Sequence, residues 1–430
     1  MPRTSSDSER GLVELARRVL PGGGFGNVAH ETIIASGRGG HVWDVSGNEY
    51  VDYLLGSGPM LVGHAHPEVV EVVQQQVANG TTFFANNAPG IRLAAEITTA
   101  VPCAEQVRFV STGSEADLYA MRLARAFTKR DKILKFEGGY HGMSDYGLMS
   151  LAPKRTANFP RPIPDSAGIP GSVRDEILVA PFNDLETVAS LVGEHAGELA
   201  GIIVEPFQRL IAPRPGFLEG LREITSRNGL LLIFDEVVTG FRFAYGGAQS
   251  YYGVTPDLCT LGKAIGGGFP LAAVTGRADV MAHFDKGAVP EDAFVTQIGT
   301  LSGNPIAAAA GLKTLEILKR PGAYEQIFKT GRALMEGYSE ILRRARRKAR
   351  VVGEPPLFDI VFTDREVKDY RSAQGDEATM KRCNALLRER GILKGESKYY
   401  VSLAHTAEDV AFTLEAFASA MDALETASAA

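Results

Sequence analysis

Short apolar runs alternate with helix-like stretches through the middle of the chain, from about residue 105 to 275. Five runs have the length and composition of buried strands, at 107–110, 132–136, 176–180, 199–205 and 230–236. Helical patterns separate several of them, as in EADLYAMRLARAF after the first run. This alternation predicts an α/β fold with a mostly parallel central sheet, covered by helices on both faces. Such sheets bind ligands at the carboxyl ends of their strands.

The two ends of the chain have a different pattern. Helical patterns near 316–348 and 376–391 flank short strand candidates, which indicates a small α+β domain. The N-terminal stretch GHVWDVSGNEYVDYLLG predicts a strand, a turn and a second strand. We therefore expect three parts, which are an N-terminal segment (1–64) packed with the small domain, a large domain (65–315) and the C-terminal small α+β domain (316–430).

Charge and cysteine content narrow the class of protein. The 430 residues carry a formal net charge of −6, whereas a nucleic-acid-binding protein usually has a basic surface. The basic run at 343–350 is expected to be the solvated face of a helix. Three cysteines cannot all pair within one chain, and none has the spacing of metal ligands. No apolar run approaches the about 20 residues that a membrane helix needs. We expect a soluble cytoplasmic protein with no metal site and no membrane or nucleic-acid partner.

The segment VRFVSTGSEAD predicts a phosphate site where a strand gives way to a helix. Gly113 lets the backbone approach a ligand closely, and the first amides of the following helix have no intrahelical partner. The helix dipole favours an anion at this point, so a phosphate could bind the Gly113 and Ser114 amides and the Ser114 hydroxyl. The alternative is a simple N-cap by Ser114 or Thr112.

Two acids and one lysine follow later apolar runs. Asp235 stands near the end of LLLIFDE and Glu205 at the end of LAGIIVE, where buried carboxylates need cations or donors as partners. Lys263 stands in LCTLGKAIGGGFP, which is otherwise mostly apolar or glycine. A desolvated lysine has a lowered pKa and becomes a nucleophilic amine that forms Schiff bases. Taken singly, a capping aspartate and a solvated loop lysine are the alternatives.

Together these features predict pyridoxal 5'-phosphate (PLP) as the cofactor. Its phosphate needs donors, its aldehyde needs an amine, and its pyridine nitrogen needs an acid partner so that the ring can accept electrons. Tyr140, in FEGGYHG, offers an aromatic face for stacking on the ring. Val237 lies two residues after Asp235, so it points to the same side of an extended strand and could support the other ring face.

The chain resembles the class III, or fold type I, aminotransferases, and within them the glutamate-1-semialdehyde 2,1-aminomutases. The likeness runs from about residue 18 to 420 and includes STGSEADLYAMRLARAFTKRDKILKFEGGYHG, IIVEP, LLIFDEVVTGFR, LGKAIGGGFP and QIGTLSGNPIAAAAGL in this order. It implies an internal aldimine and a proton shuttle at Lys263. It further implies pairing of the pyridine nitrogen with Asp235, ring contacts from Tyr140 and Val237, and phosphate contacts from Gly113 and Ser114. Thr300, in GTLSGNP, would reach the phosphate of a neighbouring subunit, so the resemblance implies a homodimer with shared active sites.

The substrate half of the site departs from the mutase pattern. The mutases carry GG followed by a serine and an arginine that bind the substrate carboxylate, whereas residues 25–31 here contain neither. His30 is the potentially cationic group in that segment, and Glu205 and Arg209 are further candidates for substrate contacts. Arg209 is equally compatible with a surface position. Charge-assisted bidentate pairing is the usual way in which such a carboxylate is fixed.

The sequence therefore predicts a PLP-dependent aminotransferase acting on an amine or amino acid, including a β-amino acid, with a carbonyl acceptor. The mutase is the alternative, and a racemase or decarboxylase on the same scaffold is a third possibility, because the cofactor alone does not decide which bond breaks. A non-catalytic scaffold protein would not need the costly buried pair Lys263 and Asp235. A dinucleotide-binding oxidoreductase is disfavoured, because neither GGGF segment follows a strand with the G-x-G-x-x-G spacing.

Overall fold

The computed structural model describes residues 5–28 and 32–429, with side chains to residue 425. The described parts of Met1–Pro67, Pro321–Glu366 and Ala373–Ala430 form one compact unit, here called the terminal unit. Glu68–Arg320 and Val367–Ser372 form the other, here called the sheet unit. The domain boundaries predicted from the sequence stay a prediction, because compactness does not show which part folds by itself.

The N-terminal part of the terminal unit contains one helix and three strands. They are α1 (Asp7–Val19), β1 (Ile34–Arg38), β2 (His41–Asp44) and β3 (Glu49–Asp52). The strands pair antiparallel in the order β1-β2-β3. The tight β2–β3 turn uses Gly47 at φ +84°, a conformation that glycine adopts without strain.

The sheet unit contains the alternation of strands and helices. Its elements are α2 (Pro67–Ala78), α3 (Ala88–Ala100), β4 (Gln106–Val110), α4 (Gly113–Thr128), β5 (Lys132–Phe136), β6 (Ile177–Ala180), α5 (Leu185–Glu194), β7 (Leu199–Val204), α6 (Phe217–Asn228), β8 (Leu231–Glu236), α7 (Gly247–Tyr252), β9 (Leu258–Leu261), β10 (Ala272–Gly276), α8 (Ala278–Met281) and α9 (Pro305–Leu318). The five strands predicted from the apolar runs are all present, to within one residue at each end.

The remaining elements belong to the terminal unit. They are α10 (Ala323–Arg344), β11 (Arg350–Glu354), β12 (Leu357–Val361), α11 (Glu377–Glu389), β13 (Ile392–Leu393), β14 (Tyr399–Tyr400) and α12 (Ala407–Ala429). β13 pairs in parallel with β3, while β11, β12 and β14 form a separate sheet. The basic run at 343–350 is not one helical face as expected, because α10 ends at Arg344. Glu340 pairs with the exposed arginines Arg343 and Arg344 at that end.

Seven strands form the described sheet of the sheet unit, in the order β4-β10-β9-β8-β7-β5-β6. β9, β8, β7, β5 and β6 are parallel, and β10 runs antiparallel to both of its neighbours, β4 and β9. Because two reversals cancel, β4 points the same way as the parallel strands. The predicted α/β class with a mostly parallel sheet is confirmed, and the carboxyl ends of six strands meet at one edge.

Helix α4 packs on this sheet through a stripe of small residues. Ala116, Ala120 and Ala124 recur at four-residue spacing and are fully buried, so the helix can approach the strands closely. β7, β8, β9 and β10 lie beneath it. In the part of the chain that the structure describes, no helix combines the length and the apolar character needed to cross a membrane.

Candidate active site

The predicted cofactor residues lie at the edge where the parallel strands end. Asp235 is the fifth residue of β8, Glu205 follows β7 directly, and Lys263 comes two residues after β9. Tyr140 lies in the loop after β5, and Gly113 begins α4 after β4. Residues that are far apart in the sequence therefore converge because the strands run in one direction.

The start of α4 is capped by a residue other than the predicted phosphate ligands. The Thr112 hydroxyl accepts a hydrogen bond from the Glu115 amide, and the Glu115 carboxylate accepts one from the Thr112 amide. This capping box leaves the Gly113 and Ser114 amides at the first two helical positions, where no intrahelical acceptor is available. Ser114 Oγ accepts from the Met143 amide at 3.1 Å. The geometry suits an anion at the helix start.

The Val237 side chain packs between the start of α4 and Gly262, the residue before Lys263. A Cβ on Gly113 would lie 3.0 Å from Val237 Cγ1, and a Cβ on Gly262 would lie 3.1 Å from the same atom. The loop that follows Tyr140 is equally close to the helix, because a Cβ on Gly142 would lie 2.5 Å from Ser114 Cα. Glycines at these positions therefore permit the close approach of the parts of the site.

Asp235 is buried, with 4% of its surface exposed, and it is surrounded by donors. The Val237 amide donates to its Oδ1 at 3.1 Å, and His141 Nδ1 lies 2.8 Å from its Oδ2. Thr260 Oγ1 lies 3.4 Å from Oδ1. These contacts stabilise a carboxylate at the strand end, which is the form that can face a protonated pyridine nitrogen.

Sequence reasoning missed His141 as a site residue. It follows Tyr140 directly and is 1% exposed, although histidine is usually only partly buried. One feature of the sequence could have indicated His141. It is a histidine that follows the strand β5 and stands next to Tyr140, the aromatic residue proposed for stacking. Its contact with Asp235 spans 94 residues of sequence, so no local pattern could have identified the partner.

Lys263 is only partly buried, whereas the sequence predicted a buried, desolvated lysine. It opens a short 3₁₀ turn between β9 and the glycines, and its own backbone lies at φ +48°. A non-glycine residue in this left-handed region is uncommon and concentrates at functional sites. Neighbouring Ala264, Ile265 and Gly266 are buried, so the lysine is held on a fixed backbone while its side chain stays accessible.

Tyr140, Glu205 and Arg209 form one cluster beside the cofactor residues. The Glu205 carboxylate accepts a hydrogen bond from the Tyr140 amide at 2.9 Å and is itself buried. The Arg209 guanidinium lies over the Tyr140 ring, 5.3 Å from its centroid, and Arg209 Nε donates to the Gly138 carbonyl. Burial raises the pKa of the Tyr140 hydroxyl. Since Arg209 covers one ring face, a stacked ligand would take the opposite face.

Two predicted residues are not brought into this cluster. Thr300 is exposed on the loop before α9, where its carbonyl accepts a hydrogen bond from the Thr82 hydroxyl. His30 lies outside the described residues. The roles predicted for both stay predictions.

The residues at this edge fit the chemistry of PLP. Gly113 and Ser114 present two amides at the start of α4, where no intrahelical acceptor is available, and this suits a phosphate. The edge also presents an amine at Lys263, a donor-stabilised carboxylate at Asp235 and an aromatic ring at Tyr140. Phosphate, aldehyde, pyridine nitrogen and ring therefore each have a matching group.

Comparison with known proteins agrees with this assignment. The sequence pattern of the class-III aminotransferases matches residues 25–427. The chain is similar to an omega-transaminase from Sphaerobacter thermophilus, with 36% identity, a TM-score of 0.93 and coverage of 98% of both chains. It is also similar to a β-phenylalanine aminotransferase from Variovorax paradoxus, with 30% identity, a TM-score of 0.85 and coverage of 97% of this chain and 94% of that one. A glutamate-1-semialdehyde aminomutase from Pseudomonas aeruginosa PAO1 shares the fold, with 24% identity, a TM-score of 0.86 and coverage of 96% and 94%.

Proposed function

This chain belongs to the class-III aminotransferase family, and we propose that it transfers an amino group from a primary amine or a β-amino acid to a carbonyl acceptor. The observation that carries the proposal is the convergence of Lys263, Asp235, Tyr140 and the Gly113–Ser114 helix start at one sheet edge. The family is PLP-dependent, and these residues match the cofactor group by group.

The cofactor, when bound, supplies an aldehyde that condenses with amines and a ring that accepts the electron pair of the broken bond. Lys263 Nζ would hold the aldehyde as a Schiff base until a substrate amine takes its place. The freed Nζ would then accept the proton from the substrate carbon and deliver it to the carbon that had carried the cofactor's aldehyde. Asp235 would keep the pyridine nitrogen protonated, and the Gly113 and Ser114 amides would bind the phosphate.

Two observations favour amino transfer between two substrates over the mutase reaction. Residues 25–31 lack the serine and arginine that the mutases use for the substrate carboxylate. Two relatives that share 30% or more of their sequence with this chain are an omega-transaminase and a β-phenylalanine aminotransferase. The mutase stays the second candidate.

Arg209 is the residue that we propose for the carboxylate of an amino-acid donor. It stands beside Tyr140 with a partly buried guanidinium, where charge-assisted pairing is stronger than at the surface. Arg209→Gln should raise the KM for a β-amino acid about tenfold or more and leave the KM for an arylalkyl amine unchanged. Equal changes for both donors would show that Arg209 acts on the site as a whole.

We further propose a cytoplasmic homodimer with shared active sites, in which Thr300 reaches the phosphate of the other subunit. Large apolar side chains are exposed beside Thr300, namely Phe83 (51%), Phe84 (70%), Ile298 (74%) and Leu301 (47%). The hydrogen bond from Thr82 to Thr300 brings both stretches together, and exposed large apolar side chains in one region are typical of an interface. The three free, buried cysteines suit a reducing compartment. Light scattering should give a dimer, and Ile298→Asp should shift it towards monomer.

Product analysis tests the reaction itself. The PLP-loaded protein is incubated with a keto acid and, in turn, a β-amino acid, an arylalkyl amine or the semialdehyde. Appearance of the amino acid derived from the keto acid, together with the carbonyl form of one donor, is the expected result. Rearrangement of the semialdehyde without consumption of keto acid would replace the proposal with the mutase.

A further inference from the structure

A further buried acid lies under the proposed cofactor site. Asp117 is on α4, one helical turn after Gly113 and Ser114, and it is 2% exposed. Residues three and four apart share a helix face, so the same face carries the helix-start amides and this carboxyl group. The steps described above make no use of Asp117.

Thr260 connects this acid to Asp235. Its Oγ1 lies 2.7 Å from Asp117 Oδ1 and 3.4 Å from Asp235 Oδ1. Thr260 is fully buried and is the register partner of Asp235 on the neighbouring strand, so its position is fixed by the sheet. One hydroxyl proton therefore stands between two carboxyl groups.

The two carboxyl groups differ in their donors, and this difference decides which one is charged. Asp235 accepts hydrogen bonds from the Val237 amide and from His141 Nδ1. Asp117 has Thr260 Oγ1 as its close hydrogen-bond partner, at 2.7 Å. Two nearby buried carboxylates cannot both ionise cheaply, so the donor-rich Asp235 holds the charge.

The electrostatic surroundings of Asp117 agree with a neutral acid. Burial is the largest cause that raises the pKa of its carboxyl well above the usual range, and the charges of Asp235 and Glu205 act in the same direction. The Thr260 hydrogen bond and the Lys263 charge act in the opposite direction and are outweighed.

We propose that Asp117 is a positioning residue for Asp235, and that its neutral carboxyl donates to Thr260 Oγ1 and so leaves the Thr260 proton for Asp235. The inference rests on the proposed function, because Asp235 matters as the partner of the pyridine nitrogen. A directed chain from Asp117 through Thr260 gives Asp235 a donor that an ionised Asp117 would take for itself. Hydrogen bonds linked in this way polarise one another.

Infrared spectroscopy of the apoprotein tests the protonation of Asp117 without any turnover. The wild-type minus Asp117→Asn difference spectrum at pH 7.5 should contain the carbonyl stretch of a neutral carboxylic acid that shifts in heavy water. A carboxylate band in its place would overturn the proposal. Asp117→Asn keeps the size of the side chain and, through its amide, a donor towards Thr260, so loss of folding is not expected to obscure the result.

The action on Asp235 is tested by PLP binding and by the pH titration of the visible band of the bound cofactor. Asp117→Asn should keep the PLP dissociation constant within about twofold of the wild-type value. Asp117→Leu and Thr260→Val should each raise it about fivefold, the effect of one hydrogen bond. Both should also raise the pH at the midpoint of the titration of the visible band. With one donor fewer, the Asp235 carboxylate would bind a proton more tightly and draw it from the ring nitrogen.

The outcomes separate the inference from the proposed function. The role of Asp117 would be overturned if Asp117→Leu kept the wild-type PLP dissociation constant and titration midpoint. It would also be overturned if Asp117→Asn and Asp117→Leu weakened PLP binding equally. Neither result would contradict the binding of PLP by the wild-type protein. Thr260→Ser, which keeps the hydroxyl, should restore the wild-type midpoint. Failure of the wild-type protein to bind PLP at all would overturn the proposed function itself.

Discussion

His141 Nδ1 lies 2.8 Å from Asp235 Oδ2, and both side chains are almost completely buried. A carboxylate only accepts hydrogen bonds, so the imidazole is the donor and carries its proton on Nδ1. This contact fixes the orientation of the Asp235 carboxylate at the end of β8. Asp235, the proposed acid partner of the pyridine nitrogen, is therefore supported by residues from two other strand ends, β5 and β9.

We predict that kcat depends more on where residue 141 places its donated proton than on the presence of an imidazole ring. Asn places its amide nitrogen near the position of Nδ1, whereas Gln places it further out. His141→Gln should lower kcat about tenfold or more, the effect of a lost hydrogen bond to a charged group, and His141→Asn should lose less. Steady-state kinetics of both variants check this, and wild-type rates for His141→Gln would contradict it.

Gly113→Ala should weaken PLP binding. Its Cβ would stand 3.0 Å from Val237 Cγ1, so either the helix start or the Val237 side chain has to move. We expect the dissociation constant to rise about tenfold, and fluorescence titration of the apoprotein measures it. Gly193→Ala, an exposed position in α5 with no atom within 4 Å of the new Cβ, is the matched control and should leave binding unchanged. An equal change in both variants would exclude crowding at the helix start.

Lys263→Ala should lose the covalent link to the cofactor. Borohydride reduction of the wild-type protein with PLP should label one peptide, the one that contains Lys263, and mass spectrometry identifies it. The Lys263→Ala variant should remain unlabelled and inactive without an added amine. Lys286→Ala removes an exposed lysine and should be labelled as the wild type is. Labelling of a different lysine would show that the assignment of Lys263 is wrong.

Buried Lys135 should make stability depend on pH. Its Nζ donates to the Gly147 and Met149 carbonyls, in the segment that follows Tyr140. Burial lowers the pKa of Lys135 from 10.5 to about 7 in the fold. Between pH 7 and 10.5 the unfolded chain therefore carries a proton on Lys135 that the folded chain does not. The free-energy cost of burying the charged lysine is fully present below pH 7 and is lost as the pH rises.

Stability relative to Lys135→Met should accordingly rise as the pH increases from 7 towards 10, by about 1.4 kcal/mol per pH unit. Urea unfolding of both proteins at several pH values measures the difference. A difference that stays constant with pH, or that falls as the pH rises, would contradict the neutral form of this lysine in the fold.

The residues proposed for the cofactor could be picked out from the sequence because each follows an apolar run. Asp235, Lys263 and Tyr140 each stand near the end of a strand, and the parallel direction of those strands brings them to one edge. The five predicted strands are found for the same reason, since buried parallel strands are near-continuous apolar runs. β10 gave no such signal, because AAVTG is short and rich in small residues.

The supporting residues could not be predicted, because their partners are distant in the sequence. His141 is 94 residues from Asp235, and Thr260 is 143 residues from Asp117. The exposure of Lys263 depends on the packing around a strained turn, so its partial burial was not visible in the apolar pattern. Substrate contacts are hardest to predict, since Arg209 approaches Tyr140 only through the fold.

The most direct test of the account is the visible absorption spectrum of the PLP-loaded protein during addition of an amine and then a keto acid. We predict a yellow band that a β-amino acid or an arylalkyl amine bleaches and that the keto acid restores, with no such band in Lys263→Ala. A wild-type protein that shows no band with added PLP, or a band that neither type of donor changes, would contradict amino transfer at Lys263.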